Sequence, residues 1–181
     1  KWFSKPEFKN NTHAQGLYLI ETHTTSIVYD KPVYIGCAIL DLSKLHMLDF
    51  HYNVIQASFG DKAKLIYSDT DSYVYEIESS NIYEWIQSNK EHFDLSGSKR
   101  EEMKNSENES ALGKFKDELH GEAMTEFIAL NPKCYAFRFQ KLDQKIEELK
   151  KAKGVSFATV AKTLPFKEYE KVLEAGNTTS R

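Results

Sequence analysis

With 181 residues, 40% of them apolar, the chain is long enough to bury a real core, since a domain of this length hides roughly 70% of the surface its unfolded chain exposes. Its 24 basic and 27 acidic residues give a net charge of -3, which excludes a whole-molecule field that draws in polyanions and leaves any nucleic-acid contact to a local patch. Cys37 and Cys134 stand far apart without Cys or His neighbours at metal-ligand spacing, which argues against a zinc site and fits a reduced, intracellular protein.

The Asn-x-Ser/Thr triplets at Asn10, Asn108 and Asn177 would matter only in a secreted protein, and neither a signal peptide nor a membrane-length apolar run accompanies them. The expected location is therefore intracellular, with nucleus, cytoplasm, mitochondrion and a viral replication site all open, and no membrane partner is expected. The chain opens at Lys1 rather than Met and runs quickly into patterned sequence, which leads to the expectation that a longer polypeptide has been cut and that further motifs lie upstream.

Residues 17–21 and 26–29 are rich in β-branched and aromatic side chains and are separated by the polar stretch 22–25, which predicts a hairpin. Lys31-Pro32 breaks it. From Val33 to about Phe59, Leu42, Leu45, Leu48, Tyr52, Ile55 and Phe59 recur at steps of three and four, predicting one apolar stripe along a long helix packed on a sheet. Ser43, Lys44, His46 and His51 are expected on its polar face. Gly60 and Asp61 end the helix, and residues 64–68 and 73–78 form a second hairpin about a tight Asp-Thr-Asp-Ser turn.

Asn81 is placed to cap a short helix through Tyr83, Trp85 and Ile86. Residues 97–110 are polar apart from Met103, which predicts a flexible surface loop. Order returns over residues 111–118, and an antiparallel pair follows at 123–130 and 134–139, joined by Asn131-Pro132. Lys141, Lys145, Lys150, Lys151 and Lys153 make the next stretch the best local candidate for a phosphate-facing patch. After Pro165, the helical spacing of Phe166, Tyr169, Val172 and Leu173 predicts a closing helix that ends before Gly176 and a frayed polar end.

The sharpest chemistry lies in residues 64–75, where an apolar strand delivers Asp69 and Asp71 to a turn and another apolar strand takes the chain away. If the backbone stays extended there, the two-residue period puts both carboxylates on one side. Carboxylates held on a rigid hairpin suit Mg²⁺, a hard ion that usually takes one or two of them and completes its shell with water and phosphate oxygens. Two such ions about 3.5–4 Å apart clamp the attacking and leaving oxygens of a phosphoryl-type displacement. Asp-Thr-Asp-Ser is also good turn chemistry without any metal.

The run Tyr67-Ser68-Asp69-Thr70-Asp71-Ser72 resembles the Tyr-Gly-Asp-Thr-Asp-Ser signature of family B DNA polymerases, with Ser68 in place of the usual Gly, as among protein-primed members. Pro132-Lys133-Cys134-Tyr135-Ala136 resembles the Lys-x-Tyr motif of the same family; alone, Lys-x-Tyr reads first as an exposed edge-strand lysine, and its position after the motif-C-like hairpin favours the family reading. Residues 112–118 resemble the Leu-Gly-Lys-x-x-x-Glu strand between these motifs, and residues 151–155 resemble the Lys-Gly-Val/Ile run at the palm-to-thumb passage. Residues 31–36, 39–44 and 49–52 look like the segment after motif B in polymerases of Polinton or Maverick-type elements, viruses and linear plasmids. The likeness covers most of the chain.

That resemblance implies an α+β fold: a polymerase palm-like antiparallel sheet with a long packed helix and the start of a helical thumb. Residues 1–140 would be a partial palm containing the 97–110 loop, and residues 141–181 the palm-to-thumb passage and helical C-terminus. The implied reaction is DNA-directed addition of deoxynucleotides to a primer 3′-hydroxyl. Asp71 would be the direct metal ligand and Asp69 its support, in a two-Mg²⁺ site completed by an upstream Asp. Tyr67 and Thr70 would lie toward the nucleotide, and Lys133, Tyr135, Lys114, Lys116, Lys151 and Lys153 toward DNA. Glu118 reads either as a further acid or as an exposed strand residue.

The implied partners are primer-template DNA, deoxynucleoside triphosphates, the remainder of the polymerase chain and a terminal protein primer. Motifs A and B have no match in these residues, so the isolated chain is expected not to polymerise. The alternative is a domesticated, non-catalytic palm fragment that binds nucleic acid or a protein.

Overall fold

The computed structural model describes residues 2–14 and 16–176, so the Asn177 triplet and the polar end beyond Gly176 lie outside the described residues. The chain divides into two compact units, Lys1–Leu42 and Ser43–Arg181. In the first, β1 (Phe8–Ala14) pairs antiparallel with β2 (Leu17–Thr22), from Phe8 opposite Thr22 to Ala14 opposite Leu17, with a register shift between Phe8 and Asn10. The predicted partner of residues 17–21 is thus corrected. Residues 26–29 form no strand, and Ile27, Val28 and Tyr29 are exposed. The polar Phe8–Ala14 sequence carries little β signal, but it lies one short turn from β2, and short connections favour hairpins.

Helix α1 (Val33–Asp49) begins after Pro32 and continues through a π-helical segment, Phe50–Gln56, into the single turn α2 (Ala57–Phe59). The predicted helix is present, but its buried face follows the predicted stripe only in part: Ile55 is buried and Phe59 packs on the same core. Leu45 and Tyr52 are exposed, whereas Met47, Phe50 and Ile55 are buried. The cause is geometric: the π turn spaces equivalent positions by five residues, so Phe50 and Ile55 share a side. His51 is half-buried rather than solvent-facing, with Nδ1 2.8 Å from the Tyr75 hydroxyl. Gly60, at φ 52, then ends the helix, a backbone state that favours glycine.

The larger unit is α+β, and its sheets among the described residues are small. β3 (Ala63–Asp69) and β4 (Ser72–Ile77) form an antiparallel hairpin. α3 (Ile82–Ser88) is capped as predicted, the Asn81 side chain accepting from the Tyr83 amide at 3.2 Å. β5 (Phe93–Asp94) and β6 (Phe115–Lys116) make a short parallel pair. β7 (Ala123–Asn131), β8 (Cys134–Gln140) and β9 (Ile146–Ala152) form an antiparallel sheet in that order. The basic stretch is therefore largely a strand that the sequence reading missed. α4 (Phe157–Thr163), capped by Ser156, was also unforeseen, while α5 (Phe166–Ala175) lies where Pro165 placed it.

Two cores hold this unit. In the first, Phe50, Ile55 and Ala63 pack with Tyr73, Tyr75, Trp85, Phe93 and Phe115, so the π segment covers one face of the β3–β4 hairpin. In the second, Phe166 and Tyr169 of α5 close over Ala136 of β8. Ala136 has no exposed surface, because only a small residue lets a helix approach a strand so closely. Residues 97–110 contain neither helix nor strand but are anchored: Met103 is buried, Lys99 pairs with Glu122 at 2.8 Å, and Asn108 donates to the Lys90 and Phe93 carbonyls. Arg100 Nε donates to the Gly121 carbonyl at 2.7 Å. A Cβ on Gly121, at φ 90, would meet Arg100 Cγ at 2.9 Å.

Candidate functional site

Strand β3 is built for pairing by Leu65, Ile66 and Tyr67, but it carries a bulge between Leu65 and Tyr67. Leu65 faces Tyr75, and the extra residue then pairs Tyr67 with Val74 instead of Tyr73. Such a bulge re-aims side chains. Tyr67 packs against Tyr135 and Phe127, at ring separations of 5.2 and 5.6 Å.

At the hairpin end the Asp71 amide donates to the Asp69 carbonyl at 2.6 Å across Thr70, whose φ is 54. This is a three-residue γ-turn, uncommon for a β-branched residue. The extended backbone on which a shared side for the two acids depended is absent at Thr70. Asp69 stays on β3 and its side chain is 24% exposed, with Lys133 Nζ 2.6 Å from its carboxylate. Asp71 is exposed and, among the described residues, its carboxylate has no hydrogen bond or ion pair. One acid is occupied and the other is open.

Lys133 comes from the turn between β7 and β8, where it sits at φ 61. Its backbone N–H donates to the Tyr67 hydroxyl at 2.9 Å while its ammonium binds Asp69. The hydrogen bond from Lys133 holds the Asp69 carboxyl below its ordinary pKa, with the Lys133 and Lys151 charges adding to the effect. The reciprocal bond raises the Lys133 pKa, and the carboxylate charges of Asp69 and Asp71 reinforce it. Lys151 lies opposite Tyr135 in the β8–β9 register, with its ammonium 5.5 Å from the Tyr135 ring centre, within cation–π range.

Asp71 opens onto a cleft of about 640 Å³, bordered by Tyr73, Lys116, Glu118, Phe127 and Tyr135. Its size is that of a small-molecule site, and its lining mixes aromatic rings with a few polar groups. Glu118 and Lys116 are exposed on its wall. Lys114 also borders it, but its ammonium donates to the Glu91 carbonyl at 2.5 Å. Thr70 is exposed, with its hydroxyl 3.4 Å from the Asp69 carboxylate, a weak contact.

The basic stretch is largely neutralised from within. Lys141 pairs with Glu147 at 2.5 Å, Lys145 with Asp143 at 2.9 Å and Lys150 with Glu148 at 3.4 Å. Lys151 and Lys153 carry no ion pair among the described residues. Tyr67, Asp69, Lys133, Tyr135 and Lys151 thus come together, Lys114 is engaged with the Glu91 carbonyl, and Lys153 follows Ala152, which lies opposite Cys134, the residue after Lys133.

Sequence reasoning missed Phe127, which completes the aromatic floor with Tyr67 and Tyr135, and it missed the role of the Tyr67 hydroxyl. Alternation along residues 123–130 could have placed Phe127 on one face, but nothing in the sequence marks the bulge that turns Tyr67 toward it. Searches of protein-family models, curated proteins and solved structures find no match to this chain.

Among the described residues no group of three or more His, Cys, Asp or Glu side chains is arranged to hold a metal ion. The donor set still fits part of a Mg²⁺ site. Asp71 offers an open carboxylate, and Mg²⁺ is commonly held by one or two carboxylates with water and phosphate completing its shell. Among the described residues no helix is long and apolar enough to cross a membrane.

Proposed function

We propose that this chain is part of the palm of a family B-type DNA polymerase, and that the facing β3–β4 and β7–β8 turns are its motif C and Lys-x-Tyr elements. One observation carries the reading: two polymerase-like segments come together through the Lys133–Asp69 contact, which spans 64 residues of sequence. Generic turn chemistry explains each segment locally but gives no reason for them to meet.

In this reading a primer 3′-hydroxyl attacks the α-phosphorus of a deoxynucleotide, the bond to the bridging oxygen breaks, and pyrophosphate leaves. Asp71 would hold Mg²⁺ together with a carboxylate from another part of the polymerase, and a bound ion would supply charge neutralisation and alignment. Lys133 and Lys151 carry positive charge to a backbone phosphate, and Tyr135 gives the primer strand an aromatic surface. Asp69 keeps Lys133 in place rather than coordinating metal, and the aromatic floor limits water at the reacting end.

The test combines primer-template binding with primer extension. Expected are salt-sensitive binding that weakens in Lys133→Ala and no extension by the isolated chain with Mg²⁺ and all four deoxynucleotides. Absence of any duplex binding would sink the reading. Robust extension abolished by Asp71→Ala would overturn the expected inactivity. A second reading, a non-catalytic palm-derived binding module, draws support from the single open carboxylate. It requires binding that is indifferent to Mg²⁺ and to Asp71→Ala.

A further inference from the structure

The Tyr67 hydroxyl points not at open cleft but at the backbone of another element. It accepts the Lys133 N–H at 2.9 Å, at a residue held at φ 61, while the same lysine's ammonium reaches Asp69 at 2.6 Å. Residues 67 and 69 of one strand thereby grip a single residue of the facing turn at both ends, backbone and side chain. The left-handed state is costly for a residue with a Cβ and persists where neighbours impose it. Pro132 precedes Lys133 and can donate no amide, so the Lys133 N–H is the first backbone donor available beyond the proline.

We infer that Tyr67 is a positioning residue: its hydroxyl fixes the Lys133 turn, so that the Lys133 ammonium is held at the Asp69 carboxylate, at the end of the β3–β4 hairpin, before any nucleic acid arrives. This assigns Tyr67 a role other than nucleotide contact, and its effect on DNA rests on the polymerase reading above. The aromatic packing of Tyr67 on Phe127 and Tyr135 would survive removal of the hydroxyl. Tyr67→Phe therefore isolates the one bond. A long lysine side chain has much rotamer freedom to lose on fixing its end, and a preset turn reduces that cost at binding.

The experiment is a double-mutant cycle on primer-template affinity, joined to hydrogen exchange of the Lys133 amide in the same proteins. Tyr67→Phe is expected to weaken duplex binding about threefold to tenfold, the range of one hydrogen bond, and to speed Lys133 amide exchange without lowering the melting temperature appreciably. In a Lys133→Ala background the same change is expected to leave binding unaltered, because the side chain being positioned is gone. Equal losses in both backgrounds would show a merely structural tyrosine and overturn the inference. If no variant and not even the parent chain binds duplex, the polymerase reading fails, and the exchange data decide the positioning bond alone. Unchanged Lys133 protection in Tyr67→Phe then overturns it, and selective loss supports it.

Discussion

The two faces of β8 show how one strand divides its work. On one face Ala136 lies fully covered by Phe166 and Tyr169 of α5, and Arg138 stacks over the Phe166 ring at 4.1 Å. On the other, Tyr135 and Phe137 border the cleft onto which Asp71 opens. The small Ala136 on the first side lets a helix close over the strand. Aromatic residues on the second keep a cleft open and give it a floor. Successive side chains of a strand point to opposite faces, so these demands are met without competing for positions.

The sharpest way to break this division is Phe166→Ala on the closed face. Phe166 is only 1% exposed, and truncating a buried phenylalanine costs about 3–5 kcal/mol, so denaturant unfolding should show a large loss with no new effect specific to the cleft. Ala136→Leu should be next, at about 1–3 kcal/mol from overpacking beneath α5. If that variant melted normally, the close approach of helix and strand would be wrong. On the open side, Asp71→Asn removes an exposed charge with no bonded partner among the described residues, and stability should change by less than about 0.5 kcal/mol. On the proposed reading, any Mg²⁺-dependent shifts in resonances of residues 69–73 should nevertheless disappear, and their persistence would remove Asp71 from the proposed metal site.

A smaller effect concerns the tract that carries no helix or strand. Asp94 accepts from the Ser96 hydroxyl at 2.6 Å, the Ser96 amide at 3.0 Å and the Ser110 amide at 3.2 Å. These bonds, the Ser96 hydroxyl first, lower its carboxyl pKa. A depressed folded-state pKa contributes stability that is present above the unfolded value and is lost as pH falls through the folded one. Ser96→Ala should raise the Asp94 pKa toward the ordinary carboxylate value, so acid unfolding should begin at a higher pH. Circular dichroism across an acid series would reveal it, and an unchanged profile would show that Asp94 does not tie this tract down.

The long helix after Pro32, the β3–β4 and β7–β8 hairpins, the Asn81 cap and the helix after Pro165 were legible because each rests on local signals. These are side-chain periodicity, a capping side chain or a breaker, and all act within a few residues. The first hairpin was paired in the wrong direction because Phe8–Ala14 is polar and shows no β signature. The helix stripe was misplaced because a π turn rephases it, and the sequence does not mark where that extra residue falls. Of the expected stripe, Leu42, Leu45, Leu48 and Tyr52 are solvent-accessible, while Ile55 and Phe59 pack on the core.

For the candidate site, residues alone determined the chemistry on offer: two carboxylates at a strand-to-strand turn, and a lysine and a tyrosine beyond a proline. Only the tertiary structure decided their division of labour. The γ-turn at Thr70 separates the acids, the β3 bulge aims Tyr67 at a distant backbone, and Lys133 occupies Asp69 while leaving Asp71 open. Periodicity and turn propensity are set by neighbours in sequence, whereas the choice of ion-pair partner depends on which surfaces the packed core brings within a few ångströms. The basic stretch shows the same limit, since composition supplied its lysines but strand pairing and adjacent acids decided that Lys151 and Lys153 make no ion pair among the described residues.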